Sequence, residues 1–304
     1  MIERENVRAH VAAMVMVVMF GLMAPLGKDA MNNGITGLQM ATMRIGGGAL
    51  LFWLVTPLVP RERVARGDLL KILAASVLGV VGAQGGFIVG VSMTSPINAG
   101  VELTSQPIFA LIFATIILRE RLTWHRVAGV LLGFVGAAIL VTQTAESGGK
   151  AGDFRGDLMV LASQVSFALY LTLFTSLMKR YSLFTFNRWM FTFGAMIMLA
   201  LTLPEMLRID ADAFTLRSVA EVVYIVVCCT FLCFVLVTYA LRHLPSTVVS
   251  SYNYIEPVVT IVASLAMGIA VLQWQHLLAA SLIFAGVWLV VNDRAKNTGN
   301  ITTK

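Results

Sequence analysis

Three polar side chains interrupt the apolar stretch that leads to Pro107. Asn98, Glu102 and Gln106 are spaced four residues apart, so a helix carries them on one face. Such a face is untenable in hydrocarbon and must turn toward neighbouring helices or a wet cavity. A carboxylate flanked by two amides can bind a small polar ligand, and it can also exchange a proton. We therefore predict that this face lines a substrate site.

A second polar face precedes Pro257, where Tyr252, Asn253 and Glu256 interrupt another apolar stretch. Pro107 and Pro257 each remove one backbone hydrogen bond. We therefore expect both helices to kink and to leave a carbonyl group free for ligand or water. The alternative is that these polar groups only hydrogen-bond to neighbouring helices as packing contacts.

Arg44 lies near the middle of a third apolar stretch. An ionised side chain in hydrocarbon costs roughly 2.5–3.5 kcal/mol, and arginine does not lose its proton. Arg44 is therefore a candidate partner for a substrate carboxylate or for one of the glutamates, unless its long side chain extends to the membrane surface. Gln164 and Tyr170 are weaker candidates for the same site.

These residues belong to a chain of 304 residues that is 58% hydrophobic and 12% charged, with a net charge of +6. Soluble domains carry roughly 25% charged residues, so the composition excludes a soluble globular protein. We expect one integral membrane domain over residues 1–304, and the scattered bases do not indicate a nucleic-acid partner.

Ten apolar segments, numbered one to ten, are each predicted to be a transmembrane helix. They cover approximately residues 9–30, 36–57, 69–91, 96–118, 124–143, 156–178, 184–204, 219–241, 246–269 and 276–292.

The basic residues are distributed unevenly over the loops between these segments. With a cytoplasmic N-terminus, 15 of the 22 Lys and Arg residues fall on the cytoplasmic side and 4 on the opposite side. Cytoplasmic loops of membrane proteins are enriched in Lys and Arg. We therefore predict that both termini are cytoplasmic and that the protein resides in the cell (inner) membrane.

The chain matches itself without a gap when it is shifted by 150 residues. The seven identical pairs include Trp124 with Trp274. This match predicts two copies of a five-helix unit, residues 9–143 and 156–292. Because five is odd, the second copy enters the membrane from the opposite side. The predicted fold is therefore all-α, with ten transmembrane helices in two inverted repeats, a common construction of secondary transporters.

One stretch of the sequence carries a pattern that resembles a known protein family. Residues 118–124 read Leu-Arg-Glu-Arg-Leu-Thr-Trp, a proline lies eleven residues before them, and Gly129 and the Gly-Phe-Val-Gly run at 133–136 follow. This pattern resembles the EamA family of the drug/metabolite transporter superfamily. The glutamate that the family carries at the end of the fourth helix is Glu120 here, but its equivalent in the second repeat is Ala270. We expect the glycines to let helices approach closely.

The inverted repeats predict a secondary transporter that moves a small metabolite by alternating access, and the resemblance implies export of amino-acid-like or related compounds as the default. Uptake of a metabolite or vitamin is the alternative direction. A membrane-embedded enzyme and a passive pore are alternatives of another class. The sequence has no recognisable catalytic, metal-ligand or phosphate-loop pattern, so we expect no enzyme, metal or cofactor. The expected partners are the substrate and the bilayer, and the chain is a monomer or a dimer.

Glu256 and Glu102 are the candidates for coupling transport to protons. Burial disfavours the charged form of a carboxylate, whereas Arg44 nearby favours it, so we expect protonation within reach of cellular pH. Glu256 lies about 15 Å from the start of its predicted helix and thus near mid-membrane. Glu102 lies only about 9 Å from the outer end of its segment. Glu256 is therefore the better candidate.

Overall fold

The computed structural model describes residues 2–32, 35–60, 62–93, 102–120, 122–143, 154–209, 214–256, 258–259, 262 and 274–299. Across these ranges the regular elements are all helical, with no β-strand. The all-α class predicted from composition is confirmed. Asn98, Pro257 and Ala270 lie outside the described residues.

Within the described ranges, six helical stretches are long and apolar enough to cross a membrane, and they coincide with predicted segments one, two, three, six, seven and eight. They are Glu5–Met23, Gly37–Leu58, Arg66–Met93, Phe154–Leu173, Leu183–Met206 and Leu216–His243. Three shorter apolar helices, Gln106–Ile117, Trp124–Ile139 and Leu277–Asn292, lie in segments four, five and ten. The protein is therefore a multi-pass membrane protein.

The full helices extend several of these stretches. Segment one is the helix Ile2–Asn32, segment two is Gly37–Val55 followed by the 3₁₀ turn Thr56–Leu58, segment five is Trp124–Gln143, segment six is Phe154–Leu173 followed by Thr175–Arg180, and segment ten is Trp274–Gly299. Thr36 begins segment two with a capping box, because its hydroxyl accepts from the Gln39 N–H while the Gln39 side chain accepts from the Thr36 N–H.

Segments three and eight are not continuous α-helices. Each contains a central π-helical stretch, Val77–Gly85 in segment three and Val227–Leu232 in segment eight. These π-helical stretches were not predicted from the sequence. The two π-helices begin 150 residues apart, as do the α-helices that precede them, Arg66–Ser76 and Leu216–Val226. π-Helical turns occur frequently at functional sites.

Segments five and ten pack together backbone to backbone. A Cβ atom added to Gly129 would lie 2.6 Å from the carbonyl oxygen of Gly286, and one added to Gly133 would lie 2.4 Å from the Tyr254 ring. A larger residue at either position has no space. The expectation that these glycines serve close helix packing is confirmed.

The remaining segments form a bundle in which segment two contacts segment seven, segment three contacts segment six, and segment one contacts segment eight. Its centre holds a buried aromatic cluster that includes Phe52, Phe191 and Phe234. Large apolar side chains are also exposed, including Leu50 at 61% and Leu54 at 63%. An apolar exterior of this kind is suited to contact with lipid chains.

Candidate functional site

Segments four and nine both lose regular α-helical structure at positions that correspond when the chain is shifted by 150 residues. In segment four a turn at residues 104–105 precedes the helix Gln106–Ile117. Pro107 lies in the first turn of that helix, where the missing N–H costs no hydrogen bond. Segment nine begins as the helix Ser246–Ser251 and continues as the 3₁₀ helix Tyr252–Ile255. Residues 254–255 correspond to residues 104–105 when the chain is shifted by 150 residues.

The two interrupted helices are joined by a side-chain hydrogen bond. The Asn253 Nδ2 group donates to Gln106 Oε1 at 2.9 Å, and Gln106 is only 1% exposed. The two other amide atoms, Gln106 Nε2 and Asn253 Oδ1, are buried and have no hydrogen-bond partner within the described part of the chain. The pair thus offers one donor and one acceptor side by side. Buried polar groups without partners are costly, and a ligand with both functions could satisfy them.

Arg44 is buried, with 1% of its surface exposed. Its Nε donates to Thr230 Oγ1 at 2.9 Å, and its Nη2 donates to the Cys229 carbonyl oxygen at 3.3 Å. Both acceptors belong to the π-helical stretch of segment eight. The side chain therefore points into the bundle rather than to the membrane surface.

The positive charge of Arg44 lies close enough to Glu256 for the two side chains to attract each other electrostatically. Segment one packs against the backbone of Glu256, because a Cβ atom added to Gly21 would lie 3.0 Å from the Glu256 carbonyl oxygen. Arg44 and Glu256 are thus opposite charges held inside the bundle by segments two and nine. Removing one member of a buried pair of opposite charges is strongly destabilising.

Tyr252 is 6% exposed, and its hydroxyl forms a 2.8 Å hydrogen bond with His10 Nδ1 of segment one. His10 was not among the residues predicted for the site. The bond links segment one to the interrupted part of segment nine, beside Asn253.

Glu102 belongs to a separate group. Its carboxylate experiences the negative charge of Asp157, in the first turn of segment six, and Glu102 Oε2 has no hydrogen-bond partner among the residues that the structure describes. The Ser105 hydroxyl donates to the Glu102 carbonyl oxygen at 2.6 Å. The structure therefore does not bring Glu102 into the pair formed by Arg44 and Glu256. Sequence reasoning missed Asp157.

Gln164 and Tyr170 are buried in segment six. The Gln164 amide donates to the neighbouring Ser163 hydroxyl at 3.0 Å. Tyr170 packs in the aromatic cluster, with its ring centroid 6.3 Å from that of Phe234. A Cβ atom at Gly79 would lie 2.5 Å from the Tyr170 ring. These contacts place Tyr170 among packing residues.

Glu120, at the end of segment four, contacts two neighbouring segments. Its Oε2 accepts from Arg126 Nη1 at 2.8 Å and lies 3.5 Å from the hydroxyl of Thr247, at the start of segment nine. Arg119 adopts a left-handed conformation with φ of 53°, and the Glu120 N–H bonds to the Ala114 carbonyl oxygen. The carboxylate thus ties segments four, five and nine together at one end of the bundle.

In the described part of the chain, no cluster of three or more His, Cys, Asp or Glu side chains could hold a metal ion. Cys229 and Cys233 are buried free thiols whose Sγ atoms bond to the Met19 and Met16 carbonyl oxygens. They link segment eight to segment one.

A solved structure titled "Crystal structure of protein" superposes with a TM-score of 0.75 over 94% of this chain and 96% of that one, at 16% identity. An "Uncharacterized transporter" of Archaeoglobus fulgidus is 25% identical, covering 86% of this chain and 90% of its own length. A "Probable terminal-alkyne amino-acid exporter" of Streptantibioticus cattleyicolor is 28% identical, covering 84% of each chain.

The model of the EamA-like transporter family matches this chain twice, over residues 7–142 and 154–292. Together the two matches include the interrupted helices, Arg44 and the segment that carries Glu120. The match agrees with the family resemblance of residues 118–136. Two similar proteins are also named as transporters. The chain belongs to the EamA-like transporter family.

Proposed function

We propose that the protein is a secondary transporter that moves a small amino-acid-like metabolite across the cell membrane by alternating access. The single observation that carries this proposal is the hydrogen bond between Gln106 and Asn253, at the point where segments four and nine are both interrupted. Discontinuous helices that meet near the membrane centre form the substrate sites of many secondary transporters.

The two halves, residues 9–143 and 156–292, are proposed to be inverted five-helix repeats. The helix boundaries support this proposal, because Arg66 and Leu216 begin equivalent helices 150 residues apart, as do Trp124 and Trp274. An odd number of helices in each repeat gives the copies opposite orientations. Rocking of one repeat against the other would then open the buried amide pair to each side in turn.

The polar groups at the site suit a zwitterion. A carboxylate would accept from Gln106 Nε2, and an ammonium group would donate to Asn253 Oδ1, the two amide atoms without a partner in the described residues. Arg44 adds a positive charge beside these segments. The amino-acid exporter named among the similar proteins is consistent with this substrate class and with export.

A thermal-shift panel on the detergent-purified protein tests the substrate class, since a ligand that binds only the folded state raises the melting temperature. We expect at least one zwitterionic amino acid to stabilise the protein by a few degrees and its methyl ester, which lacks the carboxylate, to have no effect. A panel in which no amino acid stabilises the protein would contradict the assignment. Equal stabilisation by the esters would also contradict it.

Glu256 is proposed to couple transport to protons, with Glu102 as the alternative. Glu256 is near Arg44 inside the bundle, and Glu102 is near Asp157. If an inward proton movement drives export, protonation of the carboxylate on one side and its release on the other must accompany each cycle. Replacement by glutamine keeps the shape of the side chain but cannot titrate.

We predict that Glu256→Gln abolishes the response of transport to an imposed pH gradient in proteoliposomes while exchange of labelled for unlabelled substrate continues. Exchange needs no net proton movement, so it separates coupling from binding. Glu102→Gln is the matched variant and is expected to keep most of the response. If both variants respond to the gradient as the wild type does, proton coupling by these acids is wrong.

Both termini are proposed to be cytoplasmic, on the basis of the 15 to 4 distribution of bases. We predict that a single cysteine at position 150 is labelled by a membrane-impermeant maleimide in intact cells and that one at position 63 is labelled only after permeabilisation. Both variants should be built in a chain whose three native cysteines are replaced. Labelling of position 63 but not 150 in intact cells would reverse the proposed orientation.

A further inference from the structure

A cavity separate from the amide pair opens between the end of segment two and the start of segment seven. Its volume is about 370 Å³, and its lining includes Trp53, Thr56, Glu62, Arg63 and Arg188. Arg188 is the sixth residue of the helix Leu183–Met206, which places it about 8 Å from the end of that helix. If the helix begins at the membrane surface, this distance places Arg188 near the boundary between lipid headgroups and hydrocarbon core.

Contacts fix the position of the Arg188 guanidinium, but they do not use all of its hydrogen-bond donors. Its guanidinium lies over the Trp53 ring, 4.8 Å from the centroid, and its Nη1 donates to Thr56 Oγ1 at 3.2 Å. Its Nε is buried and has no hydrogen-bond partner among the described residues. A guanidinium binds phosphate best through two parallel N–H groups. The aromatic and hydroxyl contacts therefore fix the orientation of a group that still has an unused donor.

The charges around the cavity favour an anion. Glu62 attracts Arg188, but its carboxylate also accepts the backbone N–H of Ser182 at 2.8 Å. Arg63 lines the same cavity and is exposed. The two arginines and one glutamate leave a net charge of about +1, which matches one phosphate diester.

Exposed apolar side chains of segment two adjoin the cavity at Trp53. Trp53 lines the cavity and is 45% exposed, and Leu50 and Leu54 beside it are more than half exposed. The Trp53 indole N–H donates to Thr192 at 2.9 Å, which fixes the ring against segment seven. A molecule with a phosphate and long apolar chains would therefore find a polar group and a chain-binding surface in one place.

We propose that this cavity binds the phosphate of an anionic phospholipid, with Arg188 as its main ligand and the acyl chains along Trp53 and Leu54. This site is independent of the proposed transport site. A lipid bound there would bridge segments two and seven, which pack against each other, and segment two also carries Arg44. The occupant is a diester lipid rather than a soluble phosphate compound, because the apolar surface adjoins the charged group.

Native mass spectrometry of the detergent-purified protein tests the proposal. The protein is offered an equimolar mixture of dioleoylphosphatidylglycerol and dioleoylphosphatidylcholine, and the ratio of the two bound lipids is measured. We expect the wild type to prefer the anionic lipid and Arg188→Gln to lower this preference about tenfold, since hydrogen bonds to charged groups are among the stronger ones. Arg66→Gln removes an exposed charge nearby and should keep the preference.

Arg188→Lys covers the case in which Arg188→Gln does not fold, because lysine keeps the charge but not the two-pronged geometry; we expect a preference between those of the wild type and the glutamine variant. An addition of sn-glycerol 3-phosphate distinguishes the source of the phosphate, and it should not displace the lipid at equal concentration. No preference in the wild type, full preference in both Arg188 variants, or displacement by glycerol 3-phosphate would each overturn the proposal.

Discussion

Replacing Gln106 or Asn253 with leucine is expected to lower the transport rate at low substrate concentration by roughly 10–100-fold, the loss that follows when a hydrogen bond to a charged ligand group is removed. Leucine preserves approximate volume but removes both the bond between segments four and nine and the unused amide atom. Tyr252→Leu should act in the same direction, since Tyr252 adjoins Asn253 and binds His10. Uptake of the labelled amino acid into proteoliposomes measures the effect.

The matched control for these variants is Thr42→Val. Thr42 and Thr202 form a buried 2.8 Å hydrogen bond between segments two and seven, away from the amide pair. Hydrogen bonds between membrane helices contribute on average about 0.6 kcal/mol, so this variant should lose a little stability and retain transport. If Gln106→Leu reduces the folded yield but the remaining protein transports normally, the amide pair is a packing contact.

Arg44→Leu is expected to lower the free energy of unfolding by about 3–5 kcal/mol, because it removes a buried positive charge that attracts Glu256 together with the hydrogen bonds to Thr230 and Cys229. The loss should appear as a reduced folded yield and a lower melting temperature in detergent. Combining Arg44→Leu with Glu256→Gln removes both charges and should recover most of that stability while transport stays low. The recovery separates the electrostatic role of Arg44 from its role at the site.

Arg8→Leu is the control for a lost surface charge, since Arg8 is exposed in segment one. We expect a change of at most about 0.5 kcal/mol. A double variant that is as unstable as Arg44→Leu alone would show that the hydrogen bonds from Arg44 to Thr230 and Cys229, rather than the charge of Glu256, account for its contribution.

The helices of this protein were largely predictable from the sequence because hydrocarbon requires long apolar stretches. Segment eight was predicted at residues 219–241, and the structure has it at Leu216–His243. The π-helical stretches within segments three and eight were not predictable. Their residues are almost uniformly apolar, so a change in the number of residues per turn leaves no trace in the polar pattern.

The candidate site was predictable in part for a similar reason. Gln106 and Asn253 are polar residues in apolar segments and were expected to belong to two polar helix faces, and the structure joins them by a hydrogen bond. Thr230, Asp157 and His10 were missed. Threonine is common in membrane helices, and Asp157 and His10 lie near helix ends where charged or polar residues need no partner in the membrane. Their contacts depend on how three or more segments pack, which periodicity does not specify.

Counterflow in proteoliposomes tests the proposed alternating access most directly. Vesicles containing the purified protein are preloaded with an unlabelled amino acid that stabilised it and are diluted into a trace of the labelled compound. Alternating access predicts that labelled amino acid accumulates transiently above its external concentration, that the initial rate saturates with concentration, and that Gln106→Leu lowers the initial rate by roughly 10–100-fold. Uptake that rises linearly with concentration and never exceeds equilibrium would indicate a passive pore and would contradict the account.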